Sequence, residues 1–233
     1  MALLGLAPPA LVGGLVGATR AGAVGTPASS GGYFLTSAEL ETLRALCDRF
    51  IPGPPEDSDP GALDAGVPEF IDLFLGAFET GAPPRIFAGG PFSNRNGSTH
   101  DDFADFLALD EVEELVWRTR IEGSRGIPER EWNGPVDGLQ DQYREGLATL
   151  DAVARARGGR RFHELPRWFQ DLVVTFPPSN LTEFLDLAWD HAVEGMYSPP
   201  EYGGNRGLVG WTYVGWPGDT QPRGWTDAEV SNP

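Results

Sequence analysis

The side chains able to do proton or metal chemistry are 3 histidines, 1 cysteine and 34 carboxylates. His191 and Glu194 are three residues apart beside Asp190. On a helix that spacing puts an imidazole and a carboxylate on one face, the start of a metal site. Two or three ligands at this spacing match no established zinc pattern, and a surface or capping histidine is the competing reading. His100 and His163 stand in no G-x-S-x-G, H-E-x-x-H or C-x-x-C context. Asp57, Asp59 and Asp64 raise calcium, but the EF-hand spacing and its terminal Glu are missing, which leaves solvated loop carboxylates. Cys47 is the single cysteine; it cannot form an internal disulfide, and a small buried hydrophobe is its default role. A redox enzyme would also need a cofactor-binding fold, and none reads from the chain. These residues favour a protein with no catalysis of its own.

The densest patterning lies instead in Pro199-Pro200-Glu201-Tyr202-Gly203-Gly204-Asn205-Arg206-Gly207-Leu208-Val209-Gly210-Trp211-Thr212-Tyr213-Val214-Gly215-Trp216-Pro217-Gly218. Glycine admits positive φ and close approach, proline fixes φ, and Trp and Tyr offer large rigid contact area. The glycines follow Gly204-x-x-Gly207-x-x-Gly210, which is not the dinucleotide fingerprint G-x-G-x-x-G. No phosphate loop exists either, because the chain has no lysine. Two readings stand: a structured Ω-like loop packed on its own domain, or a docking surface for a partner protein.

The elements that must position this run read as mainly α. With 233 residues and 40% hydrophobic content, one domain with a real core is expected. The 31 glycines and 21 prolines add long loops and many breaks. A net charge of −17 argues against nucleic acid and against anionic lipid. All 17 cations are arginine, a choice that suits bidentate pairing or a GC-rich genome.

Thr36-Ser37-Ala38-Glu39 is a capping box. Leu40, Leu43, Leu46, Cys47 and Phe50 then recur at helical spacing up to Pro52. Residues 52–66 read as a loop. A second helix is predicted over about 68–78, with Phe70, Ile71, Phe74, Leu75 and Phe78 inward. After a loop over 79–100, residues 100–123 read as two short helices, the second capped by Asp110 with Glu113 at N3. A helix over 136–157 ends at Gly158-Gly159. Pro166 begins a short helix. Asn180 and Glu183 are expected to cap the last helix, about 181–196, with Phe184, Leu185, Leu187, Ala188 and Ala192 inward. Alternation through Val209, Trp211 and Tyr213 predicts one short extended segment. The fold class expected is therefore an irregular helical domain with Gly/Pro-rich loops and an extended aromatic C-terminal segment.

Residues 2–18 are apolar, broken by Pro8-Pro9, and followed by Ala21-Gly22-Ala23. They are similar to the h-region and cleavage site of an export signal. No positive n-region precedes them, so a twin-arginine segment upstream is expected; a disordered apolar tail is the alternative. Residues 1–32 thus read as an export-signal-like segment with linker, and 33–233 as one helical domain.

The run from Pro199 to Gly218 resembles the C-terminal signature of the gluconate 2-dehydrogenase subunit 3 family. Tyr202, Gly203, Gly204 and Asn205 match its turn, Gly210 and Trp211 its second element, and Gly215, Trp216, Pro217 and Gly218 its third. The stretch FLTSAELETLRALCDRFIPGPPEDSDPGALDAGVPEFIDLFL resembles the family's opening, so the likeness covers roughly 33–218. It implies a small non-catalytic subunit that binds, matures and co-exports a flavin-dependent sugar or alcohol dehydrogenase. Its partner would be an FAD-dependent large subunit of the glucose–methanol–choline type, with a cytochrome c subunit as a further candidate. FAD would sit in the partner and no cofactor in this chain. The location implied is periplasmic or cell-envelope. Tyr202, Trp211, Tyr213 and Trp216 would be docking anchors, being residue types enriched at interface hot spots. The two other classes are a stand-alone envelope protein that binds a small ligand in the aromatic loop, and a metal enzyme around His191 and Glu194.

Overall fold

The computed structural model describes residues 32–79, 86–92 and 105–216. The expected export segment, most of the 24–32 linker and His100 lie outside these residues, as do Pro217 and Gly218. Helix α1 (Ser37–Phe50) starts as its sequence dictates. Thr36 N–H donates to Glu39 Oε2 at 2.8 Å, and Glu39 N–H to Thr36 Oγ1 at 3.4 Å. This reciprocal pair satisfies two donors that a helix start leaves open. The same device opens α3 (Glu111–Glu122), where Glu113 N–H donates to Asp110 Oδ1 at 2.8 Å. Helix α4 (Leu139–Gly158) ends on Gly159 in the left-handed region, φ 74°, where glycine carries no Cβ penalty.

Three expectations are corrected. The first of the two short helices before α3 is a strand: β1 (Gly89–Phe92) and β2 (Asp105–Leu107) form a small antiparallel ladder. Asn180 caps nothing, because the last long helix, α6 (Ser179–Tyr197), begins earlier, with Pro178 at its N-cap. Proline's fixed φ already sets the entry, and Asn180 falls inside the first turn. Residues 209–214, expected as extended, form helix α7 (Val209–Val214).

The apolar stripes of α1, α2 (Val67–Leu75), α4, α5 (Arg167–Thr175) and α6 close on one cluster that includes Leu43, Leu46, Ile71, Leu147, Leu150 and Phe184. Helix α6 packs against α1, α2, α4 and α7. Glycines allow two of its close crossings: a Cβ at Gly146 on α4 would overlap the Phe184 ring, and one at Gly195 would stand 2.7 Å from Phe70. The chain's entry is held by Asp72 on α2. Its buried carboxylate accepts from the N–H groups of Tyr33, of Phe34 at 3.0 Å and of Leu35 at 2.7 Å.

An ion cluster ties α1, α5 and the 52–66 loop together. The nearly buried Arg49 guanidinium contacts Asp48 at 2.9 Å, Glu56 at 2.7 Å and Asp171 at 3.3 Å, and Arg167 joins Asp48 and Glu56. The hydrogen bond from Arg49 holds the Glu56 carboxyl below its usual range. Cys47 is buried, and burial raises its thiol pKa far above the ordinary value, which keeps it from acting as a nucleophile.

Candidate functional site: the C-terminal signature segment

Helix α6 ends with carbonyls that have no partner within the helix. The segment after it supplies the donors. Asn205 N–H donates to Gly195 O at 2.7 Å, Asn205 Nδ2 to Ser198 O at 3.2 Å, and Trp211 Nε1 to Tyr197 O at 2.7 Å. The other side of the Asn205 amide faces the next helix. Its Oδ1 accepts from Gly210 N at 2.9 Å and Trp211 N at 3.4 Å, two first-turn donors of α7. One fully buried amide (0% exposed) thus caps the end of α6 and the start of α7.

This explains why 209–214 is helical despite its alternation. Asn205, Gly207 and Leu208 all have positive φ (43°, 63° and 60°), which turns the chain back on itself. The turned segment lies directly on α6. A Cβ at Gly204 would stand 2.2 Å from Gly195 O, and one at Gly210 would stand 2.0 Å from Met196 O. Only glycine lets backbone meet backbone at this distance. Arg206 N–H donates to Ala65 O at 2.9 Å, which ties the turn to the loop before α2.

The structure therefore sorts the expected docking residues. Gly204, Asn205, Gly210 and Trp211 (5% exposed) are internal. Gly203 takes φ 104° against Leu73. Tyr202 is half-buried and faces the Phe87 ring at 6.3 Å; burial raises its hydroxyl pKa. Tyr213, Gly215 and Trp216 reach solvent, with both aromatics 53% exposed. Tyr213 O–H donates to Asp59 Oδ2 at 3.0 Å, and that carboxylate holds the phenol above its ordinary pKa.

A family model described as gluconate 2-dehydrogenase subunit 3 matches residues 37–218. The chain belongs to this family. The comparison with curated proteins gave no match, and neither did the comparison with solved structures. Membership in the subunit 3 family makes the chain one subunit type of a multi-subunit dehydrogenase assembly, and its matched region contains all of α1 to α7.

The other candidate chemistry disperses. His191 is buried, its Nδ1 lies 2.9 Å from the Tyr143 hydroxyl, and the two rings stack at 5.7 Å. It is a core residue, neither the surface nor the capping histidine of the competing reading. Glu194 is on the exposed face of α6. Among the described residues no group of three His, Cys, Asp or Glu could hold a metal. Asp57 accepts from Asp59 N–H and Asp64 from Gly61 N–H, so the loop carboxylates do not converge. His163 Nδ1 is 3.2 Å from Thr42 Oγ1, which also meets Asp151. Thr42 and Asp151 line a cleft of about 280 Å³ between α1 and α4, where Asp151 already engages Arg155 and Arg161. Sequence reasoning missed Asp72 and the double role of Asn205; the Tyr-Gly-Gly-Asn turn was the available signal for the latter.

Proposed function

We propose that this subunit 3 protein is non-catalytic and binds a flavin-dependent sugar or alcohol dehydrogenase of the glucose–methanol–choline type. It helps that enzyme mature and accompanies it through export. The flavin belongs to the large subunit in this reading. The apolar 2–18 stretch and Ala21-Gly22-Ala23 support a route across the membrane as a folded pair. No helix among the described residues is long and apolar enough to span a bilayer.

One observation carries the reading. The family's signature is built as a ledge, with Gly204, Asn205, Gly210 and Trp211 locked inside, that leaves Tyr213 and Trp216 half-exposed at its end. Preordered aromatics bind with little entropy cost. The double variant Tyr213→Ala/Trp216→Ala is expected to weaken the complex by about 2 kcal/mol, roughly 30-fold in Kd, with the thermal melt of the free subunit unchanged. Titration calorimetry against the purified flavoprotein subunit reads this directly. Binding equal to wild type would remove these side chains from the interface.

A further inference from the structure

The exposed aromatics of α7 do not stand alone. Trp189, Val193 and Tyr197 recur at i, i+4 and i+8 on the outer face of α6, all solvent-exposed. Such spacing stacks side chains in one row along a helix. Trp189 meets Phe50 edge-on at 5.6 Å, and the Tyr197 ring lies against α7, 3.1 Å from where a Cβ on Gly210 would stand. The row therefore runs from the end of α1, along α6, to α7.

Charge tells what covers it. Helix α6 carries Glu183, Asp186, Asp190 and Glu194, all exposed, and no lysine or arginine. Asp57 and Asp59 border Tyr213 at the far end of the row. Arg120 lies beside Glu194 on this face. No hydrogen bond or ion pair engages the Asp186 or Asp190 side chain among the described residues. Helix α6 also has no basic residue in its last turn, so its negative dipole end stands uncompensated by charge. Carboxylates beside exposed indole and phenol faces form a receptor for cations. Each carboxylate attracts the charge, and each ring face attracts it again through its quadrupole. The second exposed row, Trp168, Leu172 and Phe176 on α5, lies instead in a stretch with Arg155, Arg157, Arg160, Arg161 and Arg167.

We infer that the α6–α7 face is the docking surface for a basic, arginine- or lysine-bearing patch of the partner polypeptide. This rests on the accessory-subunit reading and adds which face is used and the charge of what meets it. Apolar contact from Trp189, Val193 and Tyr197 forms the centre, and Asp186, Asp190 and Asp59 form the charged border. Charge pairs at an interface border set association rate and salt dependence.

The test measures binding of the purified flavoprotein subunit to the full chain by biolayer interferometry at about 50 and 300 mM salt, a range over which surface charges become screened. Wild type is expected to weaken several-fold as salt rises. Asp186→Arg/Asp190→Arg is expected to weaken binding at least about tenfold at low salt, with the salt dependence flattened or inverted. Trp168→Ser, on the α5 row, is expected to bind as wild type. Circular dichroism checks folding, and Asp186→Asn/Asp190→Asn, which keeps size, should fall between wild type and the reversal. A wild-type complex that the charge reversal leaves intact overturns the α6–α7 assignment alone. So does a complex lost in Trp168→Ser but kept in the reversal, which would move the dock to α5. No binding by the wild-type chain overturns the accessory-subunit reading and this inference together.

Discussion

Gly204→Val is expected to destabilise the isolated subunit by at least about 3 kcal/mol, a fall of roughly 6–12 °C in melting temperature. The added side chain meets only backbone: Gly195 O, C and Cα all lie within 3.0 Å of a Cβ at this position. Backbone cannot swing aside as a side chain can, so α6 and the signature segment must separate. Separation breaks the Asn205 N–Gly195 O bond and leaves buried polar groups unpaired, each costing about 1–3 kcal/mol. Gly207 provides the contrast. Its φ is 63°, but nothing lies within 4 Å of its Cβ, so Gly207→Ala carries only the left-handed backbone cost of about 1–2 kcal/mol. If Gly204→Val melted as wild type, the ledge described above would not exist.

Acid is expected to remove about 3 kcal/mol of stability through His191 alone. Burial holds its pKa down to about 4, from 6.5 for a free imidazole, with Arg120 adding to the effect and Asp190 opposing it. The histidine is neutral in the folded core and meets Tyr143 and Phe74. As pH falls below 6.5 the unfolded chain binds a proton that the folded chain does not. Stability is therefore full above pH 6.5 and declines down to about pH 4, at about 1.4 kcal/mol per unit. Urea unfolding at pH 7 and pH 4.5, wild type against His191→Gln, isolates the effect. The wild type should lose markedly more stability than the variant over that interval; equal losses would show that His191 titrates normally.

How much was legible follows from how local each cause is. Thr36 with Glu39, and Asp110 with Glu113, are partners three residues apart, and both boxes form as read. Gly159 ends α4 by a conformational preference of its own residue type. The failures arise where backbone conformation, a competing cap or a partner far along the chain decides the outcome. Residues 209–214 alternate as a strand would, yet three positive-φ residues fold them back and Asn205 caps them as a helix. Pro178 overrode Asn180 at the start of α6. Asp72 receives three N–H groups from 37 to 39 residues away, a pairing with no local trace. The signature was visible as a glycine- and aromatic-rich run; its division into a locked inside and an exposed end was not. That division depends on Gly204 and Gly210 meeting α6 carbonyls, which only the fold brings together. Composition spoke correctly to fold class, since a mainly α protein is what forms, and the family likeness noted in the sequence extends over most of the chain.

The role proposed for this chain is that of the small subunit of a flavoprotein dehydrogenase. Co-expression with a large flavin-dependent dehydrogenase subunit of the same organism, followed by size exclusion read at about 280 and 450 nm, tests this, because protein-bound flavin absorbs at the longer wavelength. One peak that contains both chains and the yellow flavin band is expected. A colourless, soluble monomer eluting apart from a fully active flavoprotein would contradict it.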